Sequence, residues 1–172
     1  MSSPMTADIP NEKIPFRIHL LRAANPLITW LLTPRLHALL SRDLLVLHFR
    51  GRRSGRSLAT PLSYVEQDGR LYLCTRPEVA SWWRNLRGGA SAEISWRGAR
   101  VPARAWVLDA ASEEAAMGFR AFLSRNPGTA SLLYHVEVAS DGAIDEVLLR
   151  HALGEAVVVR IESQSIGASQ AG

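Results

Sequence analysis

A chain of 172 residues, 47% hydrophobic and 21% charged, is long enough for one domain with a core of its own. Its net charge of +4 rests on nineteen arginines and one lysine, Lys13, which favours an anionic ligand; no helix or sheet face interleaves those arginines with aromatics, so no nucleic-acid partner is expected. One cysteine, Cys74, excludes an internal disulfide, no apolar stretch nears the roughly 18–20 residues that span a bilayer, and Met1–Asn11 lacks an apolar leader, so a cytoplasmic protein is expected.

Residues 1–12 read as a disordered tail, and residues 163–172, rich in Ser, Gly, Ala and Gln, as a second one. Between them a single domain is expected over 13–162. Its N-terminal part, 13–42, carries Leu20, Leu21, Ala24, Leu27, Ile28, Leu31 and Leu32 at three-four spacing, the mark of a buried helical stripe. Asn25-Pro26 and Thr33-Pro34 each put a capping residue before a proline, which predicts two or three short helices. The stripe is open to two readings: packing against the domain, or peripheral contact with a membrane beside Arg22 and Arg35.

From Leu44 the texture becomes strand-like, over 44–50, 57–66, 70–76, 90–97 and 99–108. Gln67-Asp68-Gly69 and Arg97-Gly98 close hairpins. Val79–Arg87 has helical spacing and stops at Gly88-Gly89. Ser112-Glu113-Glu114 starts a helix to about Arg125, Asn126-Pro127-Gly128 breaks it, and further helices are predicted near 128–135 and 143–152. A final strand, 156–161, is apolar enough to be interior. Five meandering strands, a late sixth and peripheral helices predict a mainly β fold with flanking helices, a small closed or partly closed antiparallel barrel.

Self-sufficient catalytic constellations are missing. The five histidines lack metal-ligand spacing, and His48 reads as structural or exposed. Ser54 lies in a turn, not in a strand-to-helix elbow. Cys74, inside an apolar strand, reads as inert packing. No catalytic residue and no metal ligand is assigned.

The chemistry concentrates in Gly51-Arg52-Arg53-Ser54-Gly55-Arg56, where Arg50, Arg52, Arg53 and Arg56 crowd seven positions among small residues. Glycine lets a turn gather backbone N–H groups to one side, and arginine forks match phosphate or carboxylate oxygens in pairs. The plain alternative is a solvated basic hairpin tip. An enzyme whose cofactor performs the reaction needs only an apolar slot, a few polar anchors and a place for a charged tail. Thr60-Pro61-Leu62 suits the slot. Trp82 and Trp83 add flat surfaces, with core burial as the other reading for at least one of them.

Gly-Arg-Arg-Ser-Gly at 51–55, Thr-Pro-Leu at 60–62, Asp-Gly at 68–69, Trp-Trp-Arg-Asn-Leu at 82–86 and the hairpin at 97–105 occur in one order. Together they resemble the deazaflavin-dependent nitroreductase family of the flavin-reductase-like split β-barrels. The resemblance implies a six-stranded antiparallel split β-barrel, a groove for the deazaflavin coenzyme F-420, or FMN in relatives, and hydride transfer to a small quinone, nitroaromatic or other activated acceptor. It places Arg52, Arg53, Ser54, Gly55 and Arg56 at the phosphate-bearing tail. Thr60, Pro61 and Leu62 would lie beside the ring, and Trp83 and Asn85 would close the groove. Split barrels of this kind often pair through strand faces, so a homodimer is open. Relatives usually carry a further basic residue shortly before Thr-Pro-Leu, where this chain has Leu58. A barrel that binds another anionic ligand, or an accessory protein without turnover, is the alternative.

Overall fold

Alternation sets the sheet. In β1 (Leu44–Arg50), Leu45, Leu47 and Phe49 turn to one side and are buried, while His48 turns to the other and stays half-buried. The computed structural model describes residues 44–164 and 166. The N-terminal helices expected over 13–42, the tail at 1–12 and most of the tail at 163–172 lie outside the described residues.

The remaining strands are β2 (Ser57–Ser63), β3 (Val65–Gln67), β4 (Arg70–Thr75), β5 (Ala90–Trp96), β6 (Ala99–Val107) and β7 (Val157–Glu162). All pairings are antiparallel, in the order β2-β1-β5-β6-β7-β4-β3. The hairpin turns at Asp68-Gly69 and Arg97-Gly98 put both residues at positive φ, the geometry that matches the twist of the flanking strands.

The sheet has seven strands, not the expected six, because the run 57–66 breaks at Tyr64 and its two parts take different partners. β2 pairs with β1 (Leu47 opposite Thr60), and β3 pairs with the first half of β4 (Val65 opposite Tyr72). The two outermost strands are therefore consecutive in the chain, joined by the buried Tyr64, and the sheet must curl into a half-barrel to bring them together. The ladder that β3 makes with β4 stops at Tyr72, so β2 and the end of β4 flank a seam.

Two apolar layers hold this shape. Inside the curl Leu45, Leu47, Leu71, Leu73, Ile94, Val159 and Ile161 pack together, with Trp83 and Leu86 stopping one end. Outside it lie α1 (Glu113–Arg125), α2 (Pro127–Tyr134) and α3 (Glu146–Glu155), which bury Phe119, Phe122, Leu123, Leu149 and Leu153 against Tyr72 and Val158. Strand β7 feeds both layers, which explains the consecutive apolar residues Val157, Val158 and Val159. A Cβ at Gly118 would stand 2.4 Å from the Tyr72 ring, so α1 lies directly on β4 there.

The helix ends follow their caps. Ser112 accepts from the Ala115 N–H at 3.1 Å, and Asp145 accepts from the Leu148 N–H at 3.0 Å. Helix α2 opens on Pro127 and ends at His135 in the left-handed region. Past β7, Ser163 donates to the Pro102 carbonyl at 2.8 Å and Ile166 is buried in the inner layer, so packed structure continues beyond residue 162.

Ion pairs tie sheet to helices. Tyr72 Oη donates to Glu114 at 3.2 Å, and Arg160 donates to both Glu114 oxygens at 3.1 and 3.0 Å. Arg70 donates to Glu162 at 3.1 Å. Burial, then the Glu114 charge, pushes the Tyr72 phenol up. Arg120 and Arg150 both donate to Glu146 and hold its carboxyl below the usual range. Among the described residues, no helix is long and apolar enough to cross a membrane.

Candidate functional site

The turn between β1 and β2 is a closed loop of backbone bonds. Gly51 N–H donates to the Arg56 carbonyl at 2.9 Å, and Gly55 N–H donates to the Gly51 carbonyl at 2.8 Å. Gly55 sits at φ 64°, where a side chain would be strained. A Cβ on Gly51 would come within 2.6 Å of the Ser54 hydroxyl, whose oxygen accepts from Arg56 N–H at 3.3 Å. These contacts leave Arg52, Arg53 and Arg56 exposed around a tight hinge.

Facing the turn is a 3-10 helix, Trp82–Leu86, where Val79–Arg87 was expected to be helical. Its two tryptophans divide the roles. Trp83 is 6% exposed, belongs to the inner apolar layer and donates its indole N–H to the Ala80 carbonyl at 2.9 Å. Arg84 and Arg87 lie over its ring, at 5.5 and 4.7 Å. Trp82 stays half-buried and packs against the edge of the same layer. Asn85 joins helix to turn: its Oδ1 accepts from Arg52 N–H at 3.0 Å and its Nδ2 donates to the Trp82 carbonyl at 3.0 Å. The Arg52 guanidinium donates to the Arg87 carbonyl at 3.1 Å.

The seam opens beside this junction as a groove of about 470 Å³. Leu58 through Leu62 of β2 form one wall, and Cys74 and Thr75 of β4 form the opposite one. Trp82 and Asn85 close it at the helix, with Phe49 and Val79 also lining it. The walls are mostly apolar, relieved by the hydroxyls of Thr60, Thr75 and Ser81. Cys74 keeps some exposure as a residue, yet its sulfur is enclosed, and burial pushes the thiol up.

Of the residues assigned from sequence, Thr60, Pro61, Leu62 and Asn85 line the groove. Arg52, Arg53, Ser54, Gly55 and Arg56 form the adjoining turn, which abuts the groove through the Arg52–Asn85 bond. Trp83 is in the core, and the groove's tryptophan is its neighbour Trp82. Sequence reasoning passed over Arg84 and Arg87, which come to the same rim. The signal was present in the run Trp82–Arg87, with two arginines three residues apart.

The rim is electrostatically unusual. Among the described residues, none of Arg50, Arg52, Arg53, Arg56, Arg84 and Arg87 forms an ion pair, whereas Arg70, Arg76, Arg97, Arg100, Arg120, Arg150 and Arg160 all do. A broader concavity of about 1060 Å³ lies elsewhere, bounded by Arg70, Arg104, Trp106 and Glu162. There Arg70 is already committed to Glu162 and Arg104 lies over Trp106, so the smaller groove has the stronger claim on an anion. Among the described residues, no three His, Cys, Asp or Glu side chains gather to hold a metal.

Solved structures with a related shape include an F420-H2 dependent reductase, 17% identical, covering 70% of this chain and 93% of its own, at a TM-score of 0.46. Another, described as a domain-swapped dimer, is 17% identical and covers 84% of this chain and 98% of its own, at 0.49. An FAD and heme binding protein from Mycobacterium smegmatis is 15% identical, covering 81% of this chain and 78% of its own, at 0.42. No curated protein gives a significant match. The family evidence is firmer: residues 34–131 match the model of the F420H(2)-dependent quinone reductase family. That is more than half of the sequence, and the chain belongs to this family of oxidoreductases.

Proposed function

We propose that this protein is a deazaflavin-dependent reductase that takes hydride from reduced coenzyme F-420 and delivers it to a small quinone or similarly activated acceptor. The observation that carries this reading is the pairing of an apolar seam with a rim of arginines that form no ion pair among the described residues. The groove's 470 Å³ falls within the roughly 300–1,000 Å³ usual for cofactor pockets. Its composition suits a planar ring, and the adjoining rim suits phosphate and carboxylate oxygens.

When bound, the cofactor supplies the hydride chemistry; the chain supplies position and surroundings. Pro61, Leu62 and Trp82 would hold the ring and exclude water. Thr60, Thr75 and Ser81 offer polar atoms to a heterocycle's edge. Arg52, Arg53 and Arg56, with Ser54 and Gly55 shaping the turn, would neutralise the tail. The described lining residues include no carboxylate or histidine, and the Cys74 thiol is pushed up, so the walls hold no ready proton donor at neutral pH. The acceptor is then expected to take its proton from solvent or from residues outside this lining.

Titration of the purified protein with coenzyme F-420 and, separately, with FMN, read by fluorescence, tests the assignment. Saturable binding of the deazaflavin, with quinone-dependent loss of the reduced form, is the expected result. Binding of neither compound would leave a barrel for some other anionic ligand.

A further inference from the structure

We propose that Asn85 is a positioning residue, a clasp that locks the basic turn to the Trp82 lip of the groove, and that anion-gripping and ring-facing parts of the site share one geometry through it. The turn and the 3-10 helix are 33 residues apart in sequence at the Arg52–Asn85 contact. Nothing in their local chain geometry sets one against the other. One half-buried side chain does so with both ends of its amide. Oδ1 takes the Arg52 N–H and Nδ2 gives to the Trp82 carbonyl, each at 3.0 Å. The reverse orientation would set NH₂ against N–H and oxygen against oxygen, so the partners themselves fix which way the amide points.

Few residues can make this link. Aspartate keeps the acceptor and loses the donor; alanine loses both. Both amide ends already serve protein partners, so direct contact with a ligand is not their first employment. The clasp has a brace beside it, the Arg52 guanidinium on the Arg87 carbonyl at 3.1 Å, which spans the same gap. Since Arg52 belongs to the anion-binding turn and Trp82 to the groove, a shift at either end is transmitted to the other. The ligand half of this inference rests on the cofactor reading above, whereas the clasp itself does not.

Two measurements test it. In the apo-protein, amide hydrogen exchange at Arg52, followed by NMR, is expected to quicken about fivefold in Asn85→Ala. It should stay near wild type in Asn85→Asp, where acrylamide reaches a tryptophan more readily because Trp82 has lost its tether. Unchanged Arg52 exchange in Asn85→Ala overturns the clasp whatever the protein binds. If Asn85→Ala does not fold, unchanged quenching in Asn85→Asp does so instead. The second measurement is a double-mutant cycle on coenzyme F-420 affinity with Arg53→Ala. Action through the turn predicts that Asn85→Ala costs about tenfold alone and clearly less when Arg53 is already missing. Fully additive losses would mean that Asn85 meets the ligand directly and is no positioning residue. Absence of any F-420 binding by wild type would remove the cofactor reading while the exchange result still decides the clasp.

Discussion

Two populations of arginine occupy this molecule. Over the sheet's helical side, Arg70 and Arg160 are locked with Glu114 and Glu162, and Arg120 and Arg150 with Glu146. Around the seam, Arg50, Arg52, Arg53, Arg56, Arg84 and Arg87 form no ion pair among the described residues; the contacts made there are to backbone carbonyls and the face of Trp83. The first group repays its own charge inside the fold. The second group leaves like charges close together, a cost in self-repulsion that an anion would relieve. The same residue type thus serves cohesion in one place and recognition in the other, and partner geometry tells them apart.

Removing the charges from one population at a time should separate the two roles. Arg53→Ala combined with Arg56→Ala is expected to have the largest effect: coenzyme F-420 binding about a hundredfold weaker or worse, at roughly 1.5–3 kcal/mol per charge-assisted contact. Its melting temperature should stay close to wild type, because neither side chain is packed; a large drop would put these residues among the cohesive set. Glu114→Gln should show the opposite pattern. It weakens the tie among Tyr72, Arg70 and Arg160 and should cost about 1–2 kcal/mol, discounted for the partial exposure of the cluster, or roughly 2–8 °C by calorimetry. Cofactor affinity should not change.

The smallest effect concerns His48, on the outer face of β1, whose Nε2 lies 2.8 Å from Ser95 Oγ. Burial first, and the Arg100 charge second, hold its imidazole below the ordinary value, against a raising influence from Glu93. The unfolded chain therefore takes up this proton at a higher pH than the folded one does. Stability is fully present above about pH 6.5 and declines as pH falls below it, levelling once the folded form is also protonated. Melting curves between pH 7 and 5 should be less steep for His48→Gln; equal slopes would rule out His48 as a source of acid sensitivity.

Much of this architecture was legible because local chemistry decided it. Apolar alternation in Leu44–Phe49 fixed β1, Asp68-Gly69 and Arg97-Gly98 fixed two hairpins, and Ser112 fixed the start of α1. The break at Tyr64 was not legible, since it depends on two strand halves meeting different partners. Nor was the division between Trp82 and Trp83: adjacent residues of one type carry no sign of which faces the core. The arginine turn stood out by composition alone, but its lack of an acidic partner among the described residues emerges only when strands and helices are brought together. The N-terminal stripe at 13–42 lies outside the described residues, so neither of its readings is advanced.

The seam has a thermodynamic consequence. Five strands of the curl are laced to neighbours on both sides, whereas among the described residues the outermost β2 and β3 each have a ladder on one side, β2 with β1 and β3 with β4. Whatever molecule fills the gap becomes a keystone, adding contact to the least supported wall. By mass action, saturation at a hundred times the dissociation constant raises stability by about 2.7 kcal/mol. Thermal shift can therefore rank candidate occupants before any reaction is known.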